Sequence, residues 1–259
     1  MRPFRRVVAS FVCSAVLLCL AGSPAHAGSI LLFDDFSFFP GSPGSFWGTA
    51  LIGLGRAVTS VTNDAVFVAQ LTSSPWDLVI VQFDALSHPT AASAVSSYVS
   101  TGGKAIFSHW LTEADAAFGV TQANTNLHAL TVGPLFSEGI FFGGLVVGTL
   151  PVNNPGYGIY SRSFVPDLGT TVAGTFEDGN AGIVIGNDGR TIINGFLGET
   201  LVLPEDEITL YRNEANSLLE PVPEPTTLLL FGTTAAGLGF ARERHKRPGK
   251  PGAGQQIDC

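Results

Sequence analysis

Cysteine is nearly missing from the working part of this chain. Of its three cysteines, Cys13 and Cys19 lie near the amino end and Cys259 is the last residue. Residues 28–220 hold none, which excludes a disulfide, a cysteine nucleophile and a thiolate metal site there. Positive charge is scarce too. From Gly28 to Pro221 only Arg56, Lys104, Arg162, Arg190 and Arg212 are basic, against 18 acids, a formal charge of −13. So acidic a stretch repels phosphate backbones, which argues against nucleic acid as a partner, while cations or neutral polysaccharide are compatible. Internal repeats, metal-binding spacings such as His-x-x-x-His and a complete Gly-rich phosphate loop are also lacking; Gly53-x-Gly55 has no third glycine. No cofactor and no metal are expected.

What is present is organised from the two ends. Arg2, Arg5 and Arg6 form a positive n-region, Val7–Leu20 is an apolar h-region, and Ala25-His26-Ala27 is a small-x-small cleavage site. That order predicts a signal peptide over 1–27 and a mature chain starting at Gly28. A lipobox does not fit, because Cys13 and Cys19 follow bulky Phe11-Val12 and Leu17-Leu18.

At the other end stands PVPEPTTLLLFGTTAAGLGFARERHKR, residues 221–247. Pro223-Glu224-Pro225 is stiff, because proline fixes φ and restricts the residue before it. Thr226–Ala241 carries no charge, and Arg242, Arg244, Lys246 and Arg247 close it with a basic cluster. An uncharged run ending in basic residues predicts a membrane stop with its basic side in the cytoplasm. As a helix the run spans roughly 24 Å, short of a ~30 Å hydrocarbon core, which suits a temporary anchor. The three-part order resembles the PEP-CTERM sorting signal of exported Gram-negative bacterial proteins, a tail also labelled an ice-binding protein C-terminal domain. The resemblance implies processing near Pro223, Glu224 and Pro225 by an exosortase, a membrane cysteine protease-transpeptidase. Glu243 interrupts the basic cluster, and residues 248–259 extend as a tail longer than usual. An ordinary, permanent C-terminal anchor is the alternative.

Between the ends, residues 28–220 read as one α/β domain. Ile30–Phe33 and Leu78–Val81 are apolar runs of buried-strand type. A helix is predicted over Phe46–Val58 and a strand over Ala65–Val68. Ser87-His88-Pro89 opens a helix that Gly102-Gly103 ends, and Lys104–Phe107 follows as a strand, giving a parallel right-handed βαβ unit. Further on, Thr170–Ala173 and Ala181–Ile185 read as strands. Asn187-Asp188-Gly189 is a tight-turn signal returning into Thr191–Ile193, and Glu205–Leu219 is a closing helix.

The segments WDLVIVQ, YVSTGGKAIFSHW and GPLFSEGI resemble class I glutamine amidotransferase-like proteins, nearest the trehalose-utilisation-type and beta-galactosidase trimerisation-type branch. The resemblance covers about 30–140 and implies a flavodoxin-like three-layer sandwich. It places the nucleophile elbow at Phe107-Ser108-His109-Trp110, where this chain has no cysteine and no flanking glycines. Asp34, Asp84, Ser108 and His109 follow strand-type runs at the carboxyl edge where such sheets bind ligands, and are the candidate catalytic residues. Side chains adjacent on a strand point to opposite faces, so Ser108 and His109 do not pair by adjacency. Two function classes follow: an exported, non-enzymatic binding or structural module for the cell surface, biofilm or exopolysaccharide, or a periplasmic hydrolase or carbohydrate-active enzyme whose pocket joins Asp34, Asp84 and His109.

Overall fold

The computed structural model describes residues 28–35, 46–83, 87–109, 111–133, 149–152, 161–197 and 204–219. The signal segment, the sorting motif, the apolar run at 226–241 and the basic cluster lie outside them. Among the described residues no helix is long and apolar enough to cross a membrane. The chain divides into two units, Met1–Leu219 and Glu220–Cys259.

The first unit is built on a mixed sheet of eleven strands. Its parallel half consists of β1 (Ser29–Asp34), β2 (Ala57–Val61), β3 (Leu78–Phe83), β4 (Ala105–His109) and β11 (Thr191–Asn194), in the spatial order β2-β1-β3-β4-β11. The apolar runs Ile30–Phe33 and Leu78–Val81 become the bodies of β1 and β3 because both of their faces are covered. Beyond β11 the sheet turns antiparallel through β10 (Ala181–Gly186), β9 (Thr171–Phe176), β6 (Ala129–Val132) and β7 (Thr149–Pro151). A side pair, β5 (Val120–Thr125) and β8 (Arg162–Pro166), attaches through β10.

Helices cover both faces. α1 (Phe46–Leu51) and α4 (Pro204–Leu219) pack on one side, where Trp47 stacks on Tyr211 with centroids 4.0 Å apart and planes 5° from parallel. The even-numbered side chains Ile30, Leu32, Leu78, Ile80, Ile106 and Ile192 point into this layer. α2 (Asp64–Ser73) and α3 (Pro89–Ser100) cover the other face, against Leu31, Phe33, Val79, Val81, Phe107 and Ile193. Lys104 Nζ donates to the Leu218 carbonyl at 2.6 Å, so a cation closes the negative end of α4.

The βαβ unit forms as its sequence predicts. β3 and β4 are parallel, Pro89 opens α3, and Gly102 takes φ +99° just past it. The β10–β11 pair is antiparallel around Asn187-Asp188-Gly189, all three at positive φ. Two expectations are corrected. The helix from Phe46 stops at Leu51 because Gly53 and Gly55 take φ +88° and +67°, and Val58 belongs to β2. Ala65–Val68 is helical, in α2, since Asn63 Oδ1 accepts from the Ala65 and Val66 amides at 2.9 and 3.3 Å and starts a helix. Phe67 and Leu71, four residues apart, then share the buried face.

Candidate functional site

Register builds the site. Asp34 pairs with Gln82, Gln82 with Ser108 and Ser108 with Asn194, at the carboxyl ends of four neighbouring parallel strands. In-register residues share a face, so these four form one polar row beneath α4. All four are buried. The helix answers with Glu207, Tyr211 and Glu214, at a spacing that puts them on one side. Asn194 Nδ2 donates to Glu214 Oε2 at 2.9 Å and lies 3.3 Å from Ser108 Oγ. Tyr211 Oη reaches Gln82 Oε1 at 3.4 Å. Burial pushes the Glu214 carboxyl up to about 8; the Asn194 bond opposes this and the charge of Glu207 adds to it. Glu214 Oε1 and Asn194 Oδ1 are buried with no hydrogen-bond partner among the described residues.

A second polar group occupies the other face, over α2 and α3. His109 is fully buried, and its Nδ1 donates to the Phe83 carbonyl at 2.8 Å. Its Nε2 lies 2.8 Å from Glu113 Oε2, and Ser87 Oγ donates to the other oxygen of that carboxylate. Burial lowers the His109 pKa and nearby Arg162 lowers it further, against the Phe83 carbonyl and Glu113. His88 stands between two carboxylates, with Nε2 3.0 Å from Asp35 and Nδ1 on Asp64. Arg162, also fully buried, gives Nη1 to both oxygens of Asp115 at 2.7 and 2.6 Å and Nε to the His109 carbonyl at 2.6 Å.

The four sequence candidates are therefore not gathered. Asp34 and Ser108 lie on the α4 face and His109 on the opposite one, so the sheet separates them; Asp84 is outside the described residues. Asp34 and His109 thus face opposite sides of the sheet, because consecutive strand positions alternate across the pleat. Asn194, Glu207 and Glu214 were missed from sequence. The signal available was Glu207-x-x-x-Tyr211-x-x-Glu214, two acids on the apolar side of an amphipathic helix. Among the described residues no group of three or more His, Cys, Asp or Glu side chains is placed to hold a metal ion. A groove of about 560 Å³ lies away from the polar row, along α1 and β2, lined by Leu51, Ile52, Arg56 and Val58 among others.

Residues 221–244 match the PEP-CTERM protein-sorting motif. No curated protein matches the chain. Among solved structures, a glutamine amidotransferase from Thermotoga maritima is similar at 10% identity, with 76% of this chain and 100% of that one covered and a TM-score of 0.52. A protein described as a GMP synthase subunit, from Thermoplasma acidophilum, is similar at 15% identity, over 75% and 96% of the chains, with a TM-score of 0.51. A ThuA-like protein from Bacteroides uniformis follows at 11% identity, over 76% and 94%, with a TM-score of 0.50. Identities this low speak to the fold alone. The chain carries a PEP-CTERM protein-sorting motif, which implies export and processing by an exosortase, and its mixed α/β sheet has the fold of glutamine amidotransferase-like and ThuA-like proteins.

Proposed function

We propose that this protein is exported, held briefly in the inner membrane by a helix over 226–241, cut by an exosortase-like enzyme and delivered to the cell surface or exopolysaccharide matrix. On this reading residues 1–27 are a removed leader, 28–220 the delivered domain, 221–247 the sorting signal and 248–259 a discarded tail. The domain is a flavodoxin-like three-layer module whose parallel strands run in the order 2-1-3-4-5 when β11 is counted as the fifth. It works by binding or by forming structure, and polysaccharide suits its acidic surface better than nucleic acid does.

The observation that carries the module reading is the state of the elbow. Ser108 is buried and faces Asn194, while His109 is turned to the other face and engaged with Phe83 and Glu113. A serine nucleophile needs a base within hydrogen-bond reach, and the adjacent imidazole is on the wrong side. The sorting half is tested in the native host with Pro223→Ala plus Glu224→Ala. The full-length, membrane-bound form should accumulate in cell fractions. Normal release of the double variant would overturn the sorting reading.

One observation favours the hydrolase alternative. A buried acid with a raised pKa, joined through Asn194 to Ser108, is the kind of perturbed group that active sites use. A serine-directed phosphonate probe decides between them. The module reading expects no labelling at Ser108; labelling lost in Ser108→Ala would establish the enzyme. A permanent anchor, the remaining alternative, predicts a mature product whose intact mass still includes Cys259.

A further inference from the structure

The start of β1 is held by an unusual set of contacts. Gly28 is buried, and its carbonyl accepts from the Ala57 amide at 3.2 Å. The next residue, Ser29, donates its amide to Asp77 Oδ2 at 2.5 Å, accepts from the Asp77 amide at 2.9 Å, and gives its hydroxyl to the Pro75 carbonyl at 3.2 Å. A Cβ on Gly28 would sit 2.6 Å from Asp77 Oδ2, 2.8 Å from its Cγ, and in collision with Arg56 Nη1. The φ of Gly28 lies outside the left-handed region, so what crowds a Cβ here is the ends of the Arg56 and Asp77 side chains. From the geometry about its Cα, the Gly28 nitrogen is within about 5 Å of the Asp77 oxygen.

Gly28 is also the residue that cleavage after Ala25-His26-Ala27 would expose. We propose that the Asp77 carboxylate is a receptor for the new α-ammonium of Gly28, so that removal of the leader creates an ion pair locking the first residue of β1. Before cleavage the same nitrogen is a neutral amide carrying Ala27, and that attraction does not exist. After cleavage a charge appears within the range where a carboxylate favours the protonated amine. The Arg56 guanidinium also stands beside Gly28 and opposes the ammonium, and the Tyr98 hydroxyl feels the Asp77 carboxylate. β1 lies between β2 and β3, so the lock acts on an inner strand of the sheet.

The inference rests on leader removal, one part of the reading above, and fails separately from exosortase sorting. Intact mass of the exported product should place its first residue at Gly28. Any other first residue would overturn the latch and leave the Pro223 and Glu224 experiment untouched. The full chain from Gly28 to Cys259 is then prepared in detergent with a free and with an acetylated amino terminus, each with Asp77 and with Asp77→Asn. Acetylation should lower Tm by about 2–4 °C with Asp77 and leave Asp77→Asn unchanged. The advantage of the free terminus should be complete below an ordinary α-amino pKa of about 7.7–8.0 and be lost as pH rises above that range, through the raised pKa of the folded state. Equal Tm for the two termini, or a difference that survives Asp77→Asn, would overturn it. Should Asp77→Asn not fold, NMR titration of the wild-type α-amino group decides: a pKa above the ordinary range supports the latch, and an ordinary or lower one ends it.

Discussion

Asn194 binds Glu214 and Ser108 through a single amide group, with Nδ2 2.9 Å from the carboxylate and 3.3 Å from the hydroxyl. The carboxylate is on α4 and the hydroxyl on β4, so this amide ties the helix to the polar end of the sheet. An ionised carboxylate with Oε1 buried and no hydrogen-bond partner there among the described residues is costly, so the neutral form is favoured.

That preference sets a pH dependence. Glu214 titrates at about 8 in the folded protein and near 4.5 when unfolded. Between those values the folded state holds a proton that the unfolded state has lost, so folding stability falls as pH rises from about 4.5 to about 8. The slope from this group approaches ~1.4 kcal/mol per pH unit at most. Urea unfolding at pH 5, 6, 7 and 8 should show the decline, and Glu214→Gln should flatten it. An equal slope in Glu214→Gln would assign the effect elsewhere.

Arg162 and Asp115 form the interior ion pair on the other face. Asp115→Ala leaves a buried guanidinium without its counter-charge, at a cost of about 3–5 kcal/mol. Replacing both residues with apolar ones of similar size should cost much less. Denaturant midpoints of the single and double variants measure the gap, and equal losses in the two would show that the charge balance is unimportant.

The stack of Trp47 on Tyr211 is a contact joining α1 to α4. Trp47 is fully buried, so Trp47→Ala should destabilise by about 3–5 kcal/mol. Ile52, just past the end of α1 and 74% exposed, should tolerate alanine within about 0.5 kcal/mol. Thermal unfolding of both variants is the measurement, and similar shifts would mean α1 is not anchored through the indole.

Much of the parallel half was legible in the residues. Leu78–Val81, the helix opened by Pro89 and stopped at Gly102, and the strand after Lys104 each carry a local signal that the structure obeys. The region after Phe46 was not legible, because short apolar runs broken by glycine suit helix and strand alike. There the Asn63 cap and the left-handed turns at Gly53 and Gly55 decided. β5, β6 and β8 went unseen, since each is held by non-local partners, β5 by β8 and β6 by β7 and β9, and a single strand has no stability of its own.

The sequence by itself carried the sorting motif. Residues 221–244 are a local pattern of residue types, readable without any folded context. The sequence also determined which chemistry is missing, because a domain without cysteine cannot use a thiolate however it folds. Only the tertiary structure decided which polar groups meet. Strand register carried Asp34, Gln82, Ser108 and Asn194 into one row and turned His109 away from it, because neighbouring positions along a strand face opposite sides while partners across strands face the same one.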